Sequence, residues 1–329
     1  MIGAGRRATI PVPSRCSPAA PRLQDEVVLR PERLVWLALS RICINSRGHR
    51  TVTRVLSATG GDAQAALRAA ASHPSEALAE AEVDAARLPS GVALVACTDP
   101  GWPPLLREIP DPPPVLFVQG ELTGDDDPAV AVVGARRATT YGLAVARWLG
   151  EDLARGGVTV ISGLARGIDS AAHQGALRAP GGRTLAVLAH GPDRVYPPEN
   201  VALARAIVSR GALITEFPPR TPPLRPYVTR RNRLISGLGR GVVVVEAARR
   251  SGSLVTARLA GEQNREVFAV PGPVTAPTSA GANQLLTEGA HPARTAADVV
   301  LQLPVEARQA VERAVARRDR GGAPPGLTG

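Results

Sequence analysis

The sequence predicts an α/β protein: an extended Rossmann-like, doubly wound, mostly parallel sheet with a small helical domain ahead of it. Two observations carry this. From residue 129 onward, six short and almost wholly apolar runs, 129–134, 158–163, 183–189, 212–216, 242–247 and 266–270, alternate with stretches of helical pattern. Strands that are apolar on both faces belong to a parallel sheet covered by helices, because a sheet open to water on one face alternates apolar and polar residues instead. Several of these runs also end in glycines and arginines, and ligands of open parallel sheets bind beyond the carboxyl ends of the strands.

The segments before and after the sheet follow from local pattern. Residues 1–26 are rich in Arg, Pro and Ser without a continuous apolar stretch, which predicts a disordered tail rather than a secretion signal. Over 27–88, Leu34, Leu37, Ala38 and Ile42, then Val52, Val55 and Leu56, recur at three- and four-residue steps around a polar break at 45–48. That predicts a small helical domain of SAM or helix-hairpin-helix type. A hairpin gripping DNA would want a Gly-rich turn, and with Gly48 alone the packing role is favoured. Residues 89–128 form a Pro-rich connector, with Pro103, Pro104, Pro110 and Pro112 to Pro114 ahead of the apolar run Val115 to Val118, and the acids Asp125 to Asp127 marking a surface loop. The sheet domain occupies 129–304. The remaining 305–329 are expected to form a short helix and tail, too short for a winged helix.

Composition narrows the function. All 39 basic residues are arginine and the net charge is +10 over 329 residues, which favours a polyanionic partner. Residues 220–258 alone hold nine arginines and a single acid, Glu246. Without lysine there is neither a Walker A loop nor a pyridoxal phosphate Schiff base. Cys16, Cys43 and Cys97 lack CxxC spacing, which suits reduced thiols in a cytoplasmic protein better than disulfides or a zinc site. No apolar run approaches the ~20 residues that span a bilayer, so no membrane partner is expected.

The loops after the strands hold the candidate residues. After the first comes Gly134, Ala135, Arg136, Arg137, which is not GxGxxG and lacks an acid for a ribose; Arg136 offers a planar fork of donors to a phosphate. The second ends in Gly163, Leu164, Ala165, Arg166, Gly167, Ile168, Asp169, where glycines let backbone N–H groups approach an anion at a helix start and Asp169 is placed as the N-cap. His173 lies one turn beyond Asp169. With no Ser or Cys nucleophile signalled, the pair is expected to fix the loop by a local hydrogen bond rather than to act as acid and base. The third strand leads to His190, Gly191, Tyr196 and Asn200, and the fourth to Glu216 and Phe217; in a chain with nine aromatics, Tyr196 and Phe217 either pack these loops or offer ring faces to bases. Arg225, Tyr227, Arg231, Asn232 and Arg233 follow. After the fifth strand Ser251, Gly252 and Ser253 form a second anion cradle at a helix start.

The ordered motifs GAR, SGLARGID-x-x-AH, D-x-x-YP-x-x-N, TEFP, RNRLISGL, VVEAARRSGSLVTA and FAVPG resemble the DNA processing protein A (DprA/Smf) family over about residues 90–290. The resemblance implies an extended Rossmann fold, cooperative binding of single-stranded DNA, a homodimer, and delivery of a RecA-type recombinase during natural transformation, with no catalysis, cofactor or metal. Carried over by position, it implies DNA contacts at Gly134 and Arg136, at Arg225 where the family usually has Lys, and at Arg231 and Arg233 of the RNR motif. The chain departs from the family at Val228 and Thr229, where Phe-Pro usually precedes that motif, and Tyr227 is the nearest ring. It departs again at Ala189, His190, Gly191, where Gly-Cys/Asn-Gly is usual. Two rivals share the architecture. A lysine-decarboxylase-like nucleoside-phosphate hydrolase would carry a PGGxGTxxE loop, which is absent from this sequence. A nucleotide sensor using the same phosphate cradle stays open.

Overall fold

The computed structural model describes residues 30–44 and 46–321. The N-terminal tail expected over 1–26, Cys16, and the end of the expected C-terminal tail lie outside these residues.

Four helices come first: α1 (Pro31–Ile42), α2 (Ser46–Ala58), α3 (Ala63–Ala70) and α4 (Pro74–Ala85). Pro31 and Pro74 sit in the opening turns of α1 and α4, where a missing N–H breaks no intrahelical bond. Asp62 caps α3 by accepting from the Ala65 amide at 3.0 Å. Their inward faces bury Leu37, Leu39, Val52, Leu56 and Leu67. Next come β1 (Val92–Ala96), the one-turn α5 (Pro104–Arg107) and β2 (Val115–Gly120). The segment expected to be a plain connector therefore holds an antiparallel ladder, with Val92 opposite Gln119 and Ala96 opposite Val115. The prolines fall between the two strands, and pairing across so long an insertion leaves no local signature.

The remaining elements are β3 (Ala129–Val133), α6 (Thr140–Arg155), β4 (Thr159–Ser162), α7 (Ile168–Arg178), β5 (Thr184–Val187), α8 (Val201–Val208), β6 (Ala212–Thr215), α9 (Arg225–Leu238), β7 (Gly241–Val244), α10 (Gly252–Glu262), β8 (Glu266–Ala269), α11 (Ala280–Thr287), β9 (His291–Pro292), α12 (Ala296–Gln302) and α13 (Val305–Gly321). All six strands expected from the sequence are present as β3 to β8. β9 is a two-residue edge strand, too short to show in an apolar pattern.

The described residues fall into two compact units. The first takes them up to Leu122, with Leu188–Tyr196 and Leu213–Arg231, and within it β2 neighbours both β1 and β6. The second takes Thr123–Val187, Pro197–Ala212 and the described residues from Asn232 on. Its strands run β5-β4-β3-β7-β8-β9, each pairing parallel. From β3 the chain moves outward through β4 and β5 on one side, then through β7, β8 and β9 on the other, which is the doubly wound Rossmann order with its switch point between β3 and β7. Val130, Val132, Val160, Val243 and Phe268 pack with Leu149 and Leu153 of α6, Ile168 of α7 and Val299 of α12 in one core. The expected short C-terminal helix is a 17-residue one whose Ala307 and Val311 join that core.

Candidate functional site

Three strand-end loops of the second unit meet at the switch point. The Ala135 amide donates to Glu246 O at 2.8 Å, and the Ile168 amide donates to Ala135 O at 3.2 Å, so the loops after β3, β4 and β7 are stitched through their backbones. Two glycines allow this. A Cβ on Gly134 would sit 2.7 Å from Ile168 Cγ1 and 2.9 Å from Glu246 O. Gly167 has φ +79°, and a Cβ there would run into Ala135 O. The glycines, expected from the sequence to let backbone N–H groups approach an anion, let the loops' own backbones meet in this structure.

The loop after β4 is held from inside. Asp169 is the second residue of α7 and not its N-cap, which corrects the sequence expectation; the cap position belongs to Gly167 and has no side-chain bond. The Asp169 carboxylate instead accepts from the amides of Gly163 at 3.1 Å and Ala165 at 3.4 Å. Those two amides flank Leu164, a buried residue at φ +55°, a left-handed conformation that costs a side-chain-bearing residue about 1–2 kcal/mol. The His173 Nδ1 lies 2.7 Å from Thr184 Oγ1, whose hydroxyl donates to Val160 O. Asp169 thus holds the loop through the Gly163 and Ala165 amides, while His173 braces α7 against the sheet. Out of this frame projects Arg166, exposed and paired with Glu199. The hydrogen bond from Arg166 holds the Glu199 carboxyl below its ordinary range.

The loop after β7 carries Arg249 and Arg250, both exposed, then Ser251 as the N-cap of α10, its Oγ 2.7 Å from Ser253 Oγ. A Cβ on Gly252 would meet nothing, so the backbone here is open to a ligand. Asn232 reaches the same loop, donating from Nδ2 to Gly252 O at 3.4 Å, and the neighbouring Arg233 is buried with its carbonyl accepting from Gln263 Nε2 at 3.1 Å. Arg136 and Arg137 stand exposed after β3. The second unit therefore joins the loops of Gly134, Arg136, Gly163, Arg166 and Gly167 through their backbone contacts, and Asn232 joins the loop of Ser251, Gly252 and Ser253.

In the first unit Arg225 opens α9 and is exposed. Tyr227 lies half-buried with its ring 4.8 Å from that of Phe217. Arg230 donates to Glu216 at 2.7 Å and to Ile44 O at 2.9 Å while lying 5.5 Å over the Phe217 ring. Phe217 is thus a packing residue, whereas Tyr196 is exposed. Arg231 is 4% exposed and sits near His190, whose burial pushes its ring below the ordinary histidine range, with Arg231 and Arg194 adding to the effect.

The nine arginines of 220–258 accordingly divide. Arg220, Arg230, Arg240 and Arg258 form ion pairs with acids of the same chain, Arg231 and Arg233 are buried, and Arg225, Arg249 and Arg250 face solvent. Sequence reasoning gave no role to Arg137 and Arg250, each the second of an Arg-Arg pair, and passed over Thr139, whose place ahead of a helical run was a capping signal. Cys43 and Cys97 are free and buried, and burial pushes Cys97 up to about 11. Among the described residues no three metal-ligating side chains gather, and no helix is long and apolar enough to cross a membrane.

A doubly wound sheet whose switch point carries capped, glycine-built loops and outward arginines defines a Rossmann-like protein with an arginine-bearing rim in place of the dinucleotide fingerprint. The chain belongs to the DNA recombination-mediator protein A family, whose model matches residues 93–304. It is 50% identical over 190 residues to Protein Smf of Escherichia coli (strain K12), a match covering 57% of this chain and half of that protein's length. Its fold matches the X-ray structure of DNA processing protein A (DprA) from Streptococcus pneumoniae with a TM-score of 0.72 and 32% identity, over 81% of this chain and 96% of that one. DNA processing protein A from Helicobacter pylori, solved for its single-stranded DNA binding mode, matches with a TM-score of 0.56 and 25% identity over 70% of this chain and 96% of that one.

Proposed function

We propose that this chain binds single-stranded DNA without catalysing a reaction on it, and that it works in the cytoplasm as a homodimer handing strands to a RecA-type recombinase in natural transformation or recombination. The observation that carries the DNA half is the display of Arg136, Arg137, Arg166, Arg249 and Arg250 on the three stitched loops at the switch point. Rigid loops with outward guanidinium groups suit a phosphate backbone, since each arginine offers a fork of charge-assisted donors and releases counterions on contact. Arg225 at the start of α9, Tyr227, Arg231 and Arg233 belong to the same proposed set.

The absence of catalysis is supported by how the acids are used. Asp169 is engaged with two backbone amides and Glu246 with Thr139, so neither carboxylate is left poised as a general acid or base. The recombinase step rests on membership of a recombination-mediator family, the Helicobacter protein supports the single-stranded DNA, and the dimer rests on the motif resemblance alone.

Filter binding of labelled single strands, against duplex of equal length and against free nucleotides, tests the reading. Tight, sequence-tolerant binding of single strands with weaker duplex binding is expected. Displacement by micromolar mononucleotide would favour the sensor instead, and release of phosphate or free base by the purified protein would make it an enzyme.

A further inference from the structure

Asn200 ends a short 3-10 turn, Pro198–Asn200, and is buried beneath the β4–α7 loop. Its Nδ2 donates to Leu164 O at 2.8 Å and to Ser170 Oγ at 2.9 Å, which uses both protons of the amide nitrogen. The Ser170 hydroxyl in turn donates to Ala165 O at 2.6 Å, so its oxygen is left to accept from Asn200. Leu164, the left-handed residue, is thus gripped at its carbonyl by Asn200, while the amides on either side of it are held by Asp169. Only an amide fills this place: a carboxylate of the same shape cannot donate to the Leu164 carbonyl, and an apolar side chain leaves that carbonyl buried without this partner.

Two residues beyond Leu164 is Arg166, and one residue before Asn200 is Glu199, its ion-pair partner. The turn that carries Asn200 therefore touches the loop twice, once to hold its backbone and once at the arginine it presents. We propose that Asn200 is a positioning residue that locks Leu164 in its left-handed conformation and thereby aims Arg166 at a DNA phosphate. The locking stands on the hydrogen bonds above, and the DNA step rests on the proposed function.

Hydrogen exchange separates the two parts. In the full-length Asn200→Ala and Asn200→Asp proteins, amides of 163–171 should exchange about tenfold faster than in wild type, as loss of two buried hydrogen bonds implies, with β3 and α6 unchanged. Should either variant fail to fold, Ser170→Ala removes one of the two acceptors and should give a smaller acceleration in the same segment. Unchanged loop exchange in a folded variant overturns the lock. For the DNA step, single-strand affinity is measured for wild type, Asn200→Ala, Arg166→Ala and the double variant. Each single change should weaken binding on the order of tenfold, and the double variant should bind no more weakly than Arg166→Ala. Additive losses would show that Asn200 does not act through Arg166. If wild type itself fails to bind single strands, the proposed function and the DNA step fall together, and the exchange result alone decides whether Asn200 holds the loop.

Discussion

Thr139 donates twice to the carboxylate of Glu246, from its amide at 2.9 Å and from its hydroxyl at 2.5 Å, although the residues stand 107 positions apart. The same threonine caps α6, its hydroxyl oxygen accepting from the Gly142 amide at 3.0 Å. Glu246, the lone acid among the nine arginines of 220–258, is thus a buried pin between the loop after β7 and the start of α6, and both ends of that pin lead into arginine-bearing loops.

Gly142→Ala tests how closely the pin is fitted. At an open helical position the change would stabilise by about 1 kcal/mol through helix propensity. Here the new Cβ would run into the Glu246 carboxyl group, so a net loss of about 1–3 kcal/mol is expected from overpacking. Urea unfolding measures it, and a midpoint equal to or above that of wild type would show that the carboxylate moves aside at little cost.

Exposure sorts the arginines by effect. Arg136→Ala removes a side chain that faces solvent, so its stability should stay within about 0.5 kcal/mol of wild type. The slope of log affinity against log salt on single strands should fall in magnitude by ~0.7, the share of one phosphate contact. Arg231→Ala removes a buried guanidinium and should cost more than about 1 kcal/mol of stability, whatever it does to binding. A stable Arg231→Ala protein, or an unaltered slope for Arg136→Ala, would mean that exposure in the free protein does not report which residues meet the phosphates.

Asp169→Ala should cost about 2–3 kcal/mol, more than loss of an N-cap, because the carboxylate accepts two hydrogen bonds on either side of a left-handed residue. Asp169→Asn keeps one acceptor oxygen and should recover part of the loss. Equal stabilities for Asn and Ala would assign the effect to charge rather than to the two amides.

The six sheet strands were legible because burial on both faces writes itself as unbroken apolar runs, and the switch-point loops because glycine and arginine follow those runs directly. What escaped depended on partners distant in sequence. β1 and β2 pair across an intervening proline-rich stretch, and Thr139 finds Glu246 over 107 residues. Asp169 was read as a cap because an acid at a helix start is the usual cap signal, whereas the positive φ of Leu164 and Gly167 turns the loop back so that the acid reaches amides behind it. The arginine cluster read as one charged surface because charge is visible in a sequence and ion pairing is not: Arg220 is claimed by Glu80 and Asp84, and Arg230 by Glu216.

Stability should also fall on acidification through His190. Its ring is buried after β5, with Nδ1 donating to the Gly191 carbonyl at 2.9 Å, and burial first, then Arg231 and Arg194, disfavour its protonation in spite of Asp193 nearby. A histidine whose pKa is lowered by folding binds its proton more readily when unfolded. The unfolded chain therefore takes up a proton as the pH drops below the ordinary value of 6.5, and the folded protein lags until the pH reaches its own lower pKa. Between those two points this residue removes up to about 1.4 kcal/mol of stability per pH unit, and above 6.5 it contributes no slope. His190→Asn, which fills the site with an uncharged polar group, should flatten the profile of unfolding free energy from pH 6.5 downward while leaving its shape above that point unaltered. Identical profiles for wild type and variant would show that the ring is protonated as easily in the folded protein as in the unfolded chain, and that the arginines beside it are too well screened to oppose a second charge.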